Sequence, residues 1–405
     1  MRAARLRTLL ATLLACGGVL AGCGKGPASG AGPTPKVAPV TPAGAVSVVT
    51  RNTIRLGGAD AATDAAAVAR AVYPGLTSAT RPQIVVLVDR REWPAALASS
   101  ELAGAPLNAP ILYSKGDALP TVTLEALEAL DPTGAPALAG TQVLRIGTRA
   151  AVPKQYLTRS LPAEAAPETA ATLAQLMGSA GAPDRHQVII VPASAAPTLQ
   201  MPASGLAAES GAPILFATSG RLPTATVAAL TSMHHPAIYV LDAAAVGGFA
   251  LRELSHLGTV SEIPGPAGGE QSNPSANSIA VARFTDGRFG WGVKEPGHGL
   301  VFASALKPLD APAAALLSAT ADYGPLLVLE GAHAIPAALA AYLGDIQPAY
   351  SEAFDYRPVR GVYNHGWLIG DANAISAVTQ AEIDTLLEIG PSRGSSSEAS
   401  ASQVE

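Results

Sequence analysis

Cysteine is almost missing. Only Cys16 and Cys23 occur in 405 residues, both near the start. Everything beyond residue 23 therefore lacks disulfides, cysteine-based zinc sites and thiol nucleophiles. Aromatic residues make up 4% and charged residues 14%, with six lysines against twenty arginines. No basic surplus points to nucleic acid. No Walker loop, GxSxG elbow or post-strand GxGxxG occurs, and the seven histidines form no HExxH pattern or dense cluster with acids. What the chain has instead is alanine, 40 glycines, 34 prolines and 48% apolar residues, enough for sizeable cores.

The first residues read as a leader. Arg2, Arg5 and Arg7 precede the apolar run Leu9 to Leu20, which is too short to span a bilayer. Leu20-Ala21-Gly22-Cys23 follows and resembles the lipobox of bacterial lipoproteins. That resemblance implies cleavage after residue 22, lipid on Cys23, membrane attachment through that lipid and an extracytoplasmic location facing the cell wall. Without residues 1–22 the chain has 23 basic and 31 acidic residues, a net charge of −8. Residues 23–46, rich in Pro, Gly and Ala, read as a tether reaching ~70 Å in a polyproline-like state. Residues 391–405 read as a Ser-rich disordered tail.

Between tether and tail the sequence repeats. Three times a continuous apolar run (Ile84–Val88, Val188–Val191, Leu300–Ala303) precedes an alanine-rich helical pattern. A second run then follows: Ala109-Pro110-Ile111-Leu112, Ala212-Pro213-Ile214-Leu215, and Gly324-Pro325-Leu326-Leu327. Next comes a Pro-opened helix, predicted over 121–130, 224–233 and 337–343, and a third strand, 143–147, 238–241 and 367–370. Amphipathic segments 63–73, 168–178 and 275–284 precede the units. Short Val/Ile/Leu runs between helices indicate parallel strands covered on both faces. The expected architecture is α/β: three tandem Rossmann-like parallel-sheet domains over 47–155, 156–265 and 266–390.

These motifs resemble the cell wall-binding repeat 2 family. Arg55-Leu56-Gly57-Gly58-Ala59-Asp60 is similar to its opening Arg-Ile-Ala-Gly-x-Asp, Trp93-Pro94-Ala95-Ala96-Leu97 to its Phe-Pro-Asp-Ala-Leu, and Ala109-Pro110-Ile111-Leu112 to its Ala-Pro-Ile-Leu-Leu. The Asp of the second motif stands as Asp310 in the third unit, with Ala95 and Thr198 in the others. The resemblance covers 47–390. It implies packing of the three units about a pseudo-threefold axis and non-covalent attachment to a cell-wall glycopolymer, without catalysis or cofactor. It also implies that Ile111, Leu112, Ile214, Leu215, Leu326 and Leu327 are tied to attachment.

Charge is uneven: 47–155 carries +1, 156–265 −3 and 266–390 −7. An anionic wall polymer would favour the first unit, and Arg55 and Arg149 are its candidate surface contacts. Ligands of parallel sheets sit beyond the strand carboxyl ends, which places Tyr113-Ser114, Phe216-Ala217-Thr218 and Val328-Leu329-Glu330 near a polymer site. Eleven of 18 aromatics fall within 284–367, and two longer loops, 285–298 and 345–363, offer a glycan-stacking platform or simply core filling. A solute-binding lipoprotein of a transporter, or a surface hydrolase with an unrecognised site, is the alternative reading. Three similar sequential units fit a two-lobed solute-binding protein less well.

Overall fold

A computed structural model describes residues 46–162, 164–181, 186–265, 273–319 and 324–392. The leader, Cys23, the tether up to residue 45 and the tail from 393 lie outside the described residues.

The described residues begin with a hairpin, β1 (Val46–Val49) and β2 (Thr53–Gly57), and helix α1 (Ala61–Val72). Asp60 starts that helix by accepting the N–H groups of Ala62 and Thr63, both at 3.0 Å. The next stretch runs β3 (Val85–Asp89), α2 (Trp93–Ala98) continuing into a 3₁₀ turn Ser99–Ala103, β4 (Ile111–Ser114), α3 (Thr121–Leu130), β5 (Val143–Ile146), β6 (Thr158–Leu161) and α4 (Ala166–Ser179). It is followed by β7 (Gln187–Pro192), α5 (Pro197–Gln200), α6 (Pro202–Ser210), β8 (Ile214–Ala217), α7 (Thr224–Ser232), β9 (Ala237–Leu241), α8 (Ala243–Val246), α9 (Gly248–Leu257), β10 (Thr259–Ile263) and α10 (Pro274–Arg283). The last stretch comprises β11 (Gly299–Ser304), α11 (Asp310–Ala319), β12 (Leu326–Leu329), α12 (Ala337–Asp345), β13 (Ala349–Ser351), β14 (Arg357–Arg360), β15 (His365–Ile369), α13 (Ala377–Leu387) and β16 (Gly390–Pro391).

Three parallel sheets result, as the apolar runs predict. Their orders are β4-β3-β5-β6, β8-β7-β9-β10 and β12-β11-β15-β2, the last extended by antiparallel β1. The same order thus recurs, but the fourth strand has two origins. β6 and β10 come from chain that follows their sheets directly. The third sheet instead takes β2 from the start of the chain, with Leu368 opposite Arg55 and Ile369 opposite Leu56. A separate small sheet, β14-β13-β16, carries the 345–363 region.

Local chemistry repeats with the topology. Pro120, Pro223 and Pro336 cap α3, α7 and α12 with φ of −56, −58 and −54°, the angle the pyrrolidine ring enforces. Thr123 donates its hydroxyl to the carbonyl of Tyr113 (2.8 Å) and Thr226 to that of Phe216 (2.7 Å), tying each helix start to the preceding strand end.

Small residues let helix backbones approach. The 3₁₀ turn, α6 and α11 pack on one another, with Ala103, Ala208, Ala315 and Leu316 forming a buried cluster. A Cβ added to Gly205 would lie 2.6 Å from Ser318 Oγ and 3.2 Å from its Cβ. Gly205→Leu is therefore expected to lower the free energy of urea unfolding by about 1–3 kcal/mol through overpacking. Gly178 on α4 has no atom within 4 Å of its added Cβ, so Gly178→Ala is expected to raise stability by ~0.5 kcal/mol. Equal midpoints for both variants would contradict the close α6–α11 contact.

Candidate functional site

The six apolar residues tied to attachment are all buried. Ile111, Leu112, Ile214, Leu215, Leu326 and Leu327 are each at most 1% exposed. Leu326 and Leu327 enter different apolar clusters, as the two-residue period of a strand requires. Each pair sits in its own sheet, so the structure does not gather the six into one surface.

Arg55 corrects an expectation. It is not a surface contact: it is 4% exposed in β2. Its Nε donates to Gln380 Oε1 (2.9 Å), and Nη1 donates to the carbonyls of Gly370 (3.0 Å) and Asp371 (2.9 Å). Burial lowers its pKa and the Asp371 charge opposes that. The guanidinium satisfies the turn between β15 and α13, so its role is to bind β2 into the last sheet. Gln380 completes the tie by donating to Thr53 Oγ1 at 3.0 Å. The carboxyl-end residues Tyr113, Phe216, Val328 and Leu329 are likewise packed inside. Tyr113 donates its hydroxyl to the carbonyl of Leu309 at 2.7 Å.

Arg149 is exposed as expected. It follows β5 on a turn that Gly147 enters at φ +65°. Directly beneath it, Ser114 donates to Thr148 Oγ1 (2.8 Å) and Thr148 donates to the carbonyl of Gly116 (2.9 Å). Gly116 in turn donates its N–H to Asp89 Oδ1 at 3.1 Å. These bonds fix the loops after β3, β4 and β5 against each other. Burial would raise the Asp89 carboxyl, but the Arg91 guanidinium and the N–H groups of Arg91 and Gly116 outweigh it and hold the group below its ordinary value. Arg91 is thereby neutralised by Asp89, at 2.6 Å. Lys115 and Arg149, both exposed, make no side-chain hydrogen bond among the described residues. The carboxyl edge of the first sheet therefore presents Lys115 and Arg149 outside any ion pair among the described residues, with Asp117 exposed on the Lys115 loop. Lys115 was not singled out in sequence, although it follows the Pro-Ile-Leu strand directly.

The aromatic-rich region divides. In the 285–298 loop, Phe289 is buried and stacks on Tyr239 at 3.9 Å and 16°, while the Tyr239 hydroxyl donates to Asp286 at 2.7 Å. Those rings fill space. The β13–β14 hairpin and its exit do the opposite: Phe354, Tyr356, Val359, Val362 and Tyr363 are 46–68% exposed, and the Tyr350 and Tyr356 rings lie 5.5 Å apart.

A third cluster is enclosed. Lys307 donates to Asp64 Oδ2 (2.8 Å) and to the carbonyl of Gly58 (2.7 Å), and Gly58 donates its N–H to Asp64 Oδ1 (2.5 Å). Asp310, fully buried at the start of α11, has no N–H or hydroxyl donor; its partner is the Asp64 carboxyl. Burial, then the charge of Asp64, pushes Asp310 well above the usual carboxylate range. Burial raises the Asp64 carboxyl too, against the opposing Lys307 and Gly58 N–H, so the two acids hold a proton between them.

Three solved-structure and sequence comparisons bear on this architecture. No family model matches the chain, and no curated protein matches it in sequence. Among solved structures the fold is similar to Cwp6 from Clostridium difficile, with a TM-score of 0.63 over 85% of this chain and 51% of that one at 17% identity. It is also similar to Cwp8 from Clostridium difficile, with a TM-score of 0.60 over 83% of this chain and 52% of that one at 16% identity. The chain spans about half the length of the solved chains it matches.

The shared proton has a consequence for stability. The unfolded Asp310 ionises near pH ~4, whereas the folded one holds its proton far higher, so stability falls as pH rises above ~4 and toward the raised pKa. The slope reaches at most ~1.4 kcal/mol per pH unit. Asp310→Asn keeps a donor toward Asp64 without that proton. Unfolding free energies of the variant and the wild type, measured from pH 4 to 8, are expected to diverge in the variant's favour. Parallel curves would contradict the shared proton.

Proposed function

We propose that this chain is a lipid-anchored surface protein that binds a cell-wall glycopolymer non-covalently and performs no catalysis. Lipid on Cys23 would hold it to the outer face of the cell membrane, and residues 24–46 would let the globule reach the wall. The observation that carries the binding reading is the exposed cations Lys115 and Arg149, outside any ion pair among the described residues, on the hydrogen-bonded carboxyl edge of the first sheet. Carboxyl edges are where parallel sheets take ligands, and two unpaired cations suit phosphate or carboxylate groups on a polymer. The repeat motifs resembling the cell wall-binding repeat 2 family, and the fold shared with Cwp6 and Cwp8, support the same reading.

In this account Ile111, Leu112, Ile214, Leu215, Leu326 and Leu327 act through the cores that shape the edges, not by touching polymer. Truncating one to Ala would cost about 2–5 kcal/mol by cavity formation, so lost binding in such variants would report unfolding. The meeting of the 3₁₀ turn, α6 and α11 supports an arrangement of the three units about a pseudo-threefold axis.

The test is a pull-down on purified cell-wall fractions in graded salt. Lys115→Ala with Arg149→Ala is expected to weaken binding roughly 2–30-fold at low salt, since exposed charge contacts contribute ~0.2–1 kcal/mol each. Stability should shift by less than about 0.5 kcal/mol. Unchanged retention would remove the rim from the mechanism and leave Phe354 and Tyr356 as the contact to examine. Cys23→Ala is expected to release the protein from membranes into the soluble fraction; retention of that variant would contradict the lipid anchor.

A further inference from the structure

A groove of about 750 Å³ opens between α4 and α7, outside the rim and the aromatic hairpin. Its walls are small: Ala171, Ala174 and Gly178 on α4 face Ala225 and Ala228 on α7. Alanine and glycine at these positions keep the facing helix surfaces low, with the apolar Met177 and Met233 also on the lining, which suits an alkyl chain. The slot is built by sequence, since nothing lies within 4 Å of a Cβ placed on Gly178.

Glu101, in the 3₁₀ turn, lines this groove. It is completely buried, and neither carboxyl oxygen has a hydrogen-bond partner. The elements packed on that turn are α2, α4, α6, α11 and β4. Their titratable residues are Glu168, Glu209, Asp310 and Tyr113, and none of the five elements contains a lysine, arginine or histidine. Among the described residues these elements therefore bury a carboxyl without providing a cation for it. A group in that position is costly unless something pairs with it. His186 is the other ionisable residue on the groove wall, and its Nδ1 already lies 3.0 Å from the carbonyl of Met233. Among the described residues no lysine or arginine lines the groove, so the Glu101 carboxyl is the group there that a cation can pair with.

We propose that the α4–α7 groove is a binding site for a primary alkylammonium group, whose apolar stem lies along the alanine walls and whose charge pairs with Glu101. Burial pushes the Glu101 carboxyl well above its ordinary range, which favours its protonated form in the free protein. On binding, that proton leaves for the buffer, the carboxylate forms, and the ammonium keeps its own three protons. Binding of the cation is thus coupled to release of a proton, which neutral and anionic analogues of the same stem would not cause.

The experiment is isothermal titration of the full chain at pH 7 with n-hexylammonium, n-hexanol and n-hexanoate, each in two buffers of different ionisation enthalpy. Hexylammonium is expected to bind at one site with release of about one proton per ligand, and at least about tenfold tighter than the alcohol or the carboxylate. Glu101→Gln is expected to lose that preference and the proton release together. Ala228→Phe, placed on the exposed side of the slot, is expected to abolish binding while the thermal transition stays in place, so the proposal stays testable even where Glu101→Gln fails to fold. Absence of hexylammonium binding, equal affinity for hexanol, or proton release that persists in Glu101→Gln would overturn it.

Discussion

The structure depends on one long-range strand insertion. Each parallel sheet needs a fourth strand on the flank of its third, and the last sheet takes it from residues 53–57, more than 300 residues earlier in the chain. Closing so large a loop is entropically unfavourable, though the cost grows only logarithmically with length. It is offset by a dense set of buried polar bonds. Arg55 satisfies the carbonyls that turn β15 into α13, Gln380 bridges Arg55 and Thr53, and Lys307 draws Asp64 and Gly58 toward the loop before α11. Gly57 sits at the crossing at φ +126°, where an added Cβ would lie 2.8 Å from the Gly370 nitrogen. Only glycine tolerates both the angle and the approach.

A second constraint follows from composition. With few aromatics, the helices bury alanine against alanine, and backbone proximity replaces side-chain bulk. The junction of the 3₁₀ turn, α6 and α11 shows what that brings: short side chains, a glycine in contact with a serine, and polar groups such as Ser100 and Ser204 without hydrogen bonds. Close packing of this kind tolerates little added volume. The same economy of side chains leaves the α4–α7 slot open and Glu101 beside it. Fold and candidate site thus share one cause.

Legibility in the sequence followed the strength of local patterns. The central strands read clearly because burial on both faces makes them continuous apolar runs, and α3 begins and ends where Pro120 and the apolar period place it. The fourth strands escaped for the converse reason. Thr53–Gly57, Thr158–Leu161 and Thr259–Ile263 mix polar and apolar residues at the flanks of their sheets, and nothing local distinguishes them from loops. Arg55 looked like a surface cation because its acceptors are backbone carbonyls 315 and 316 residues away. The aromatic surplus was visible, but whether a ring packs or projects depends on tertiary partners: Phe289 found Tyr239, and Phe354 found solvent. Glu101 gave no signal, because an acid in an alanine-rich helix is ordinary until its neighbours prove to hold no cation.

The claim that β2 is an integral strand of the last sheet is tested most directly by native-state hydrogen exchange. If β2 is integral to that sheet, the amides of Ile54 and Leu56, which face β15, should exchange only by the opening that releases Trp367 and Leu368 in β15, with the same free energy and the same denaturant dependence. Exchange of the β2 amides through a separate, cheaper opening, with β15 and β11 still protected, would contradict it.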